Sequence, residues 1–121
     1  MEGFWSLTGY GFWIVEEKRT GRFLGEVGVA DFKRAITPSL AGKPEFGWII
    51  VGDAHRQGYA TEAIGAALAW AKENLAAEKY CCIIDPDNAP SIRVAENCGF
   101  KEKARTTYKK KPIIILERPS R

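Results

Sequence analysis

The spacing of apolar residues along this chain predicts a mixed α/β fold, with a central β-α-β-α unit flanked by antiparallel hairpins. Three observations predict it. Runs of β-forming residues bounded by turn residues lie towards both ends of the chain. One long segment, Thr61 to Leu75, carries its apolar residues at helical spacing. The stretch Lys79–Ile84 is a short continuous apolar run, the composition of a strand buried on both faces. At 121 residues the chain is read as one domain around one core.

Nothing before Gly11 reads as a clear strand. Gly11 to Glu17 is rich in β-formers (Phe12, Trp13, Ile14, Val15), Lys18 to Gly21 is a polar turn ending in glycine, and Phe23 to Ala30 continues with Leu24, Val27 and Val29. Together they predict a β-hairpin. Asp31 to Pro44 holds two prolines and no period, so it is read as a loop. Glu45 to Val51 is the next strand and Gly52 to Gly58 a turn, with a helix opening at Tyr59 or Ala60. After the strand Lys79–Ile84 comes a turn to Asn88, a good helix N-cap, with Pro90 suited to the first helical turn and Gly99 to the stop. Phe100 to Tyr108 and Pro112 to Glu117 form the closing hairpin. The middle unit is expected to be a right-handed crossover with two parallel neighbouring strands.

Composition narrows the function classes. Hydrophobic residues are 45% and charged residues 27%, which excludes a disordered chain. The apolar runs are too short to span a bilayer, and no basic start followed by an apolar block marks a secretory signal, so the expected location is cytoplasmic. Cys81, Cys82 and Cys98 are odd in number and lack the paired spacing of a zinc site, so they are expected to be buried. His55 is the sole histidine, which leaves little material for a histidine triad or metal centre. The net charge of +3 gathers late, where Lys101, Lys103, Arg105, Lys109, Lys110 and Lys111 face only Glu102. Such a cluster suits nucleic acid or cofactor phosphates; a solvated, edge-blunting hairpin tip is the favoured reading.

The chemistry is concentrated in Asp53 to Ala63. A glycine stands where a strand turns into a helix, small residues follow, and the first helical amides point one way with the positive end of the helix dipole. That arrangement suits an anion, especially a pyrophosphate, and Gly58 removes the Cβ from the approach. Arg56 adds a positive charge. A capped helix after a turn carries about equal weight. The Walker and dinucleotide patterns are both absent.

Four motifs in order then carry a resemblance: Glu45-Phe46-Gly47-Trp48, Gly58-Tyr59-Ala60-Thr61-Glu62-Ala63, Asn88-Ala89-Pro90-Ser91, and Glu96-Asn97-Cys98-Gly99-Phe100. The chain resembles the GNAT superfamily of N-acetyltransferases over Gly11 to Arg118, and within it the branch of the ribosomal-protein N-terminal acetyltransferases. At the turn, Gly58 and Ala60 fill the family pattern, while His55 replaces the expected Arg or Gln. The resemblance implies that the amides of Arg56, Gln57, Gly58, Tyr59, Ala60 and Thr61 cradle the CoA pyrophosphate. It also implies that Trp48, Ile49, Ile50 and Val51 pair with the pantetheine arm between two splayed strands, with Asn88 bonding that arm from the other side.

The reaction implied is direct attack of a primary amine, on a small molecule or a protein N-terminus, on acetyl-CoA. Ile49 or Ile50 N–H would hold the oxyanion. Glu45 would take the amine proton through water, or else pair as a strand-end residue with a surface lysine. Ser91 would protonate the thiolate, since Ala95 stands where many members have tyrosine; a role in helix-start hydrogen bonding weighs equally. Tyr59 and Glu62 are read as structural, and Trp48 and Trp70 as core or cleft wall. The family's usual front strand and helices are expected to be largely missing, which suggests a homodimer or strand-exchanged assembly covering the sheet. The alternative is a shortened acyl-CoA-binding domain without turnover. No metal and no membrane partner are expected, and nucleic acid ranks last.

Overall fold

The computed structural model describes residues 2–5, 11–16, 18–30, 40, 42–50 and 57–120, with the backbone alone at 2–5, 12, 50 and 57. The elements are β1 (Glu2–Trp5), β2 (Gly11–Glu16), β3 (Phe23–Ala30), β4 (Glu45–Ile50), α1 (Gln57–Asn74), β5 (Lys79–Ile84), α2 (Ala89–Asn97), β6 (Lys101–Tyr108) and β7 (Lys111–Pro119). The seven strands form one sheet in the order β1-β2-β3-β4-β5-β7-β6. Only the β4–β5 pair is parallel; every other neighbouring pair is antiparallel. The mixed α/β fold with its central β-α-β-α unit is therefore as expected.

Two elements differ from the sequence reading. Glu2–Trp5 is a strand, paired with β2 from Glu2↔Ile14 to Trp5↔Gly11. Four residues are too few to show a period, and an edge strand of this length is defined by its partner rather than by its own pattern. The helix α1 also opens at Gln57, two residues before Tyr59, so Gly58 belongs to its first turn rather than to the preceding loop. Most of the predicted loop before Glu45 lies outside the described residues.

Alternation along the strands gives the sheet two unlike faces. On the first face Val27, Val29, Phe46, Tyr80, Cys82, Ile114 and Leu116 pack against Ala63, Ile64, Ala67 and Ala71 of α1 and Val94 and Ala95 of α2. Phe46 lies at its centre, 5.2 Å from the Tyr80 ring and 5.9 Å from Phe100. Trp70 closes one side edge-on to Trp13 at 5.2 Å. The second face holds a smaller cluster, Leu40, Cys81, Ile113 and Ile115, with Ile83 and Tyr108 against it. All three cysteines are free and buried, as their number and spacing suggested.

Local chemistry explains where α2 starts and stops. The side chain of Asn88 accepts a hydrogen bond from Ser91 N at 3.2 Å, satisfying one otherwise unpaired amide of the first turn, and Pro90 occupies that turn without losing a bond. Gly99 takes φ 90°, and Arg118 reaches from β7 to donate to the Cys98 carbonyl at 2.7 Å. At the other hairpin, Lys109 and Lys110 both adopt positive φ, 51° and 66°. Each such non-glycine residue costs roughly 1–2 kcal/mol.

Candidate active site

The parallel pair β4–β5 is in register at a single position, Glu45↔Cys81. There Cys81 N donates to the Pro44 carbonyl at 3.0 Å. Beyond it the strands part. Because backbone groups alternate sides along a strand, Pro44 facing β5 means that Phe46, Trp48 and Ile50 also direct theirs to that side, while Gly47 and Ile49 direct theirs to β3. The β3–β4 register runs unbroken from Gly25↔Ile50 to Ala30↔Glu45, so no bulge resets this alternation. The opening thus exposes the backbone of Trp48 and Ile50. This corrects the expectation for Ile49: its N–H is spent on β3, and its side chain is 62% exposed on the second face.

Two adjoining hollows occupy the gap. One, of about 220 Å³, is lined by Trp48, Ile49, Ala60, Asn88, Pro90, Ser91 and Val94. The other, of about 140 Å³, adds Phe46, Gly47, Ile83, Ile84 and Asp85 and shares Trp48, Asn88 and Ser91 with the first. The fold therefore brings Trp48, Ile49, Ala60, Asn88 and Ser91 together from three segments of the chain. Pro90, Val94, Ile83 and Ile84 were not singled out in the sequence as cleft residues. The last two follow from the parallel crossover, since the end of β5 must form the opposite wall once β4 diverges.

At the mouth, the first amides of α1, from Gln57 to Ala60, have no carbonyl within the helix to take them. Thr61 falls in the following turn, where the helix's own ladder uses its amide, so its backbone drops out of the predicted cradle. Its Oγ1, however, is buried with no hydrogen-bond partner among the described residues. No acidic residue lies in the first turn to oppose an anion. A Cβ added at Gly58 would meet no described atom within 4 Å. Glycine there serves neither packing nor a positive φ, which agrees with space kept for a ligand. Arg56 and Val51 lie outside the described residues.

The two expected catalytic groups differ in placement. Ser91 is half-buried and lines both hollows; its backbone N–H, not its hydroxyl, makes the helix-start bond. Asn88 uses its carbonyl oxygen for the cap, which leaves the NH₂ end as a donor beside the cleft. Glu45 is 5% exposed and is not among the described residues lining either hollow. It stands in a register row with Ala30, Cys81 and Glu117 on the second face. The surface lysine nearby, Lys43, pairs with Glu117. Burial holds the Cys82 thiol well above its ordinary range, with smaller contributions from Cys81, Glu45 and Cys98. Burial likewise raises Cys98, opposed by Arg118. Both thiols therefore stay protonated and inert near neutrality. Among the described residues no group of side chains is arranged to hold a metal ion.

The chain thus combines a mixed sheet parted between two parallel strands with helix amides at the mouth and largely apolar walls within. The sequence profile of the GNAT acetyltransferase domain matches residues 1–101. The chain belongs to the GNAT acetyltransferase family. It is 36% identical over 114 residues to the protein YkkB of Bacillus subtilis (strain 168), covering 93% of this chain and 64% of YkkB. Its fold is similar to a GnaT-family acetyltransferase from Bordetella pertussis (TM-score 0.79, 28% identity, 90% of this chain and 65% of that one). It is also similar to a ribosomal-protein-S5-alanine acetyltransferase from Vibrio fischeri (TM-score 0.75, 14% identity, 92% and 62%). The chain thus spans just under two thirds of the length of these relatives. Among the described residues no helix is long and apolar enough to cross a membrane.

Proposed function

We propose that this protein is a cytoplasmic acetyl-CoA-dependent N-acetyltransferase acting on a primary amine of a small molecule or a protein N-terminus. The observation that carries the reading is the parting of β4 and β5 after one registered pair, which turns the backbone of Trp48 and Ile50 towards an open cleft. Acetyl-CoA supplies the activated acyl group. The amides of Gln57 to Ala60 hold its pyrophosphate, with Arg56 beside them, and the freed edge of β4 bonds the pantetheine amides. The Asn88 side-chain NH₂ donates to that arm from the α2 side.

In the transfer, the amine nitrogen bonds to the acetyl carbon and the carbon–sulfur bond breaks, releasing CoA. The N–H of Trp48 or Ile50 stabilises the negative charge that develops on the carbonyl oxygen. The proton lost by the amine passes through water to Glu45, and Ser91 Oγ donates to the departing sulfur. Much of the acceleration comes from holding both reactants in one cleft, a contribution that reaches about 7–11 kcal/mol in well-oriented systems.

Isothermal titration with CoA and a thiol-release assay with acetyl-CoA and a panel of amines test the reading in two stages. Gly58→Asp is expected to abolish CoA binding, because it sets a carboxylate against the pyrophosphate in the first turn of α1. CoA binding retained by this variant would exclude the assigned cradle. Binding without amine-dependent thiol release would instead favour an acyl-CoA-binding domain that does not turn over.

A further inference from the structure

The β6–β7 turn is built from residues that its geometry disfavours. A two-residue hairpin with positive φ at both centres ordinarily takes Asn-Gly, and here it takes Lys109 and Lys110. With Lys111 they make a run of three exposed lysines, none with an ion-pair partner among the described residues, the Lys109 ammonium lying over the Tyr108 ring at 5.4 Å. The nearby Arg105 is different, since Glu102 holds it through two hydrogen bonds. Non-glycine residues persist in such backbone regions where function opposes the relief of strain.

The register fixes where this tip stands. Ile84, the end of β5, pairs with Ile114 on β7, so the tip overshoots β5 at the end where the Asp85–Asn88 turn bounds the cleft. At 3.3 Å per residue, Lys110 lies roughly 13 Å beyond that pair. Tyr108, adjoining the tip, packs on the second-face cluster with Ile83. Glu45 and Gly47 belong to that same face.

We propose that Lys109–Lys111 docks the carboxylates of an acidic peptide whose N-terminal amine enters the cleft, so that the acceptor is an acidic protein N-terminus. The proposal rests on the acetyl-transfer reading above and narrows its substrate class. From the end of β5 alone the tip is about four residues of extended chain away, a span that a peptide covers and a small amino acid does not.

The test uses two fluorescein-labelled peptides with free N-termini, identical except that residues three to six are acidic in one and neutral in the other. Binding is followed by anisotropy in the presence of CoA, and acetylation by mass spectrometry, at low and high salt. The acidic peptide is expected to bind about tenfold more tightly at low salt, with the difference shrinking as salt rises. The double variant Lys109→Asn, Lys110→Gly gives the turn its ordinary residues. It is expected to melt higher than the wild type and yet lose most of this preference. Equal binding of both peptides by the wild type, or an undiminished preference in the variant, overturns the proposal. So does tighter binding of an oligoribonucleotide than of the acidic peptide. Acidic-peptide binding with no acetylation of any amine removes the transfer reading and leaves the docking site; acetylation without charge preference does the reverse.

Discussion

Glu45 is a carboxylate at 5% exposure, flanked across the register by Ala30 and Cys81. A buried carboxylate is tolerated where other groups compensate its charge, and it can still exchange a proton through water. Serving as the proton acceptor through water is the use proposed here. Glu45→Gln keeps the shape and removes the base. The expected result is a fall in kcat/KM on the order of a hundredfold, with little change in CoA affinity. An unchanged kcat/KM would exclude Glu45 as the base. The sequence suggested Glu45 from its motif, but nothing in it indicated that the side chain would be enclosed. Ile49 shows the same limit: its place beside the cleft was legible, whereas the direction of its N–H follows from the Pro44–Cys81 bond, a contact between distant segments.

At the scale of elements, α2 was legible almost residue by residue, because Asn88, Pro90 and Gly99 each signal a boundary through their own backbone chemistry. β3 and β5 were legible for a related reason, since patterned or continuous apolar runs need no knowledge of partners. β1 and the first turn of α1 were not, being set by pairing and packing rather than by local preference. Asn88 joins the two kinds of information, capping the helix with one end of its amide and facing the cleft with the other. Two substitutions separate these roles. Asn88→Ser preserves a capping oxygen and should leave the melting temperature near that of the wild type while weakening CoA several-fold. Asn88→Ala should do both, costing about 1 kcal/mol of stability as well. If Asn88→Ser binds CoA as the wild type does, the amide contributes only the cap.

For the molecule as a whole, the described residues cover the two faces of the sheet unequally. α1 and α2 cover the first, whereas Ile49 on the second is 62% exposed among the described residues, with Gly47 beside it offering no side chain. A homodimer burying the β3–β4 region is the assembly proposed. Sedimentation at micromolar concentration should give a dimer that Ile49→Lys dissociates; a monomeric wild type excludes it. Neither the sheet order nor this imbalance could be read from the chain, since the order β5-β7-β6 joins strands by partners far apart in sequence.

That order has a consequence for how the molecule is made. β7 follows β6 in the chain, yet it lies between β5 on one side and β6 on the other. Until residues 111 to 119 have left the ribosome, β5 keeps an open edge and the core on both faces lacks the isoleucines of β7. Native closure of the β5 edge therefore depends on contacts of long sequence separation, the class that forms slowly. A chain stalled before β7 would present that edge to other chains, making β7 a checkpoint between folding and aggregation.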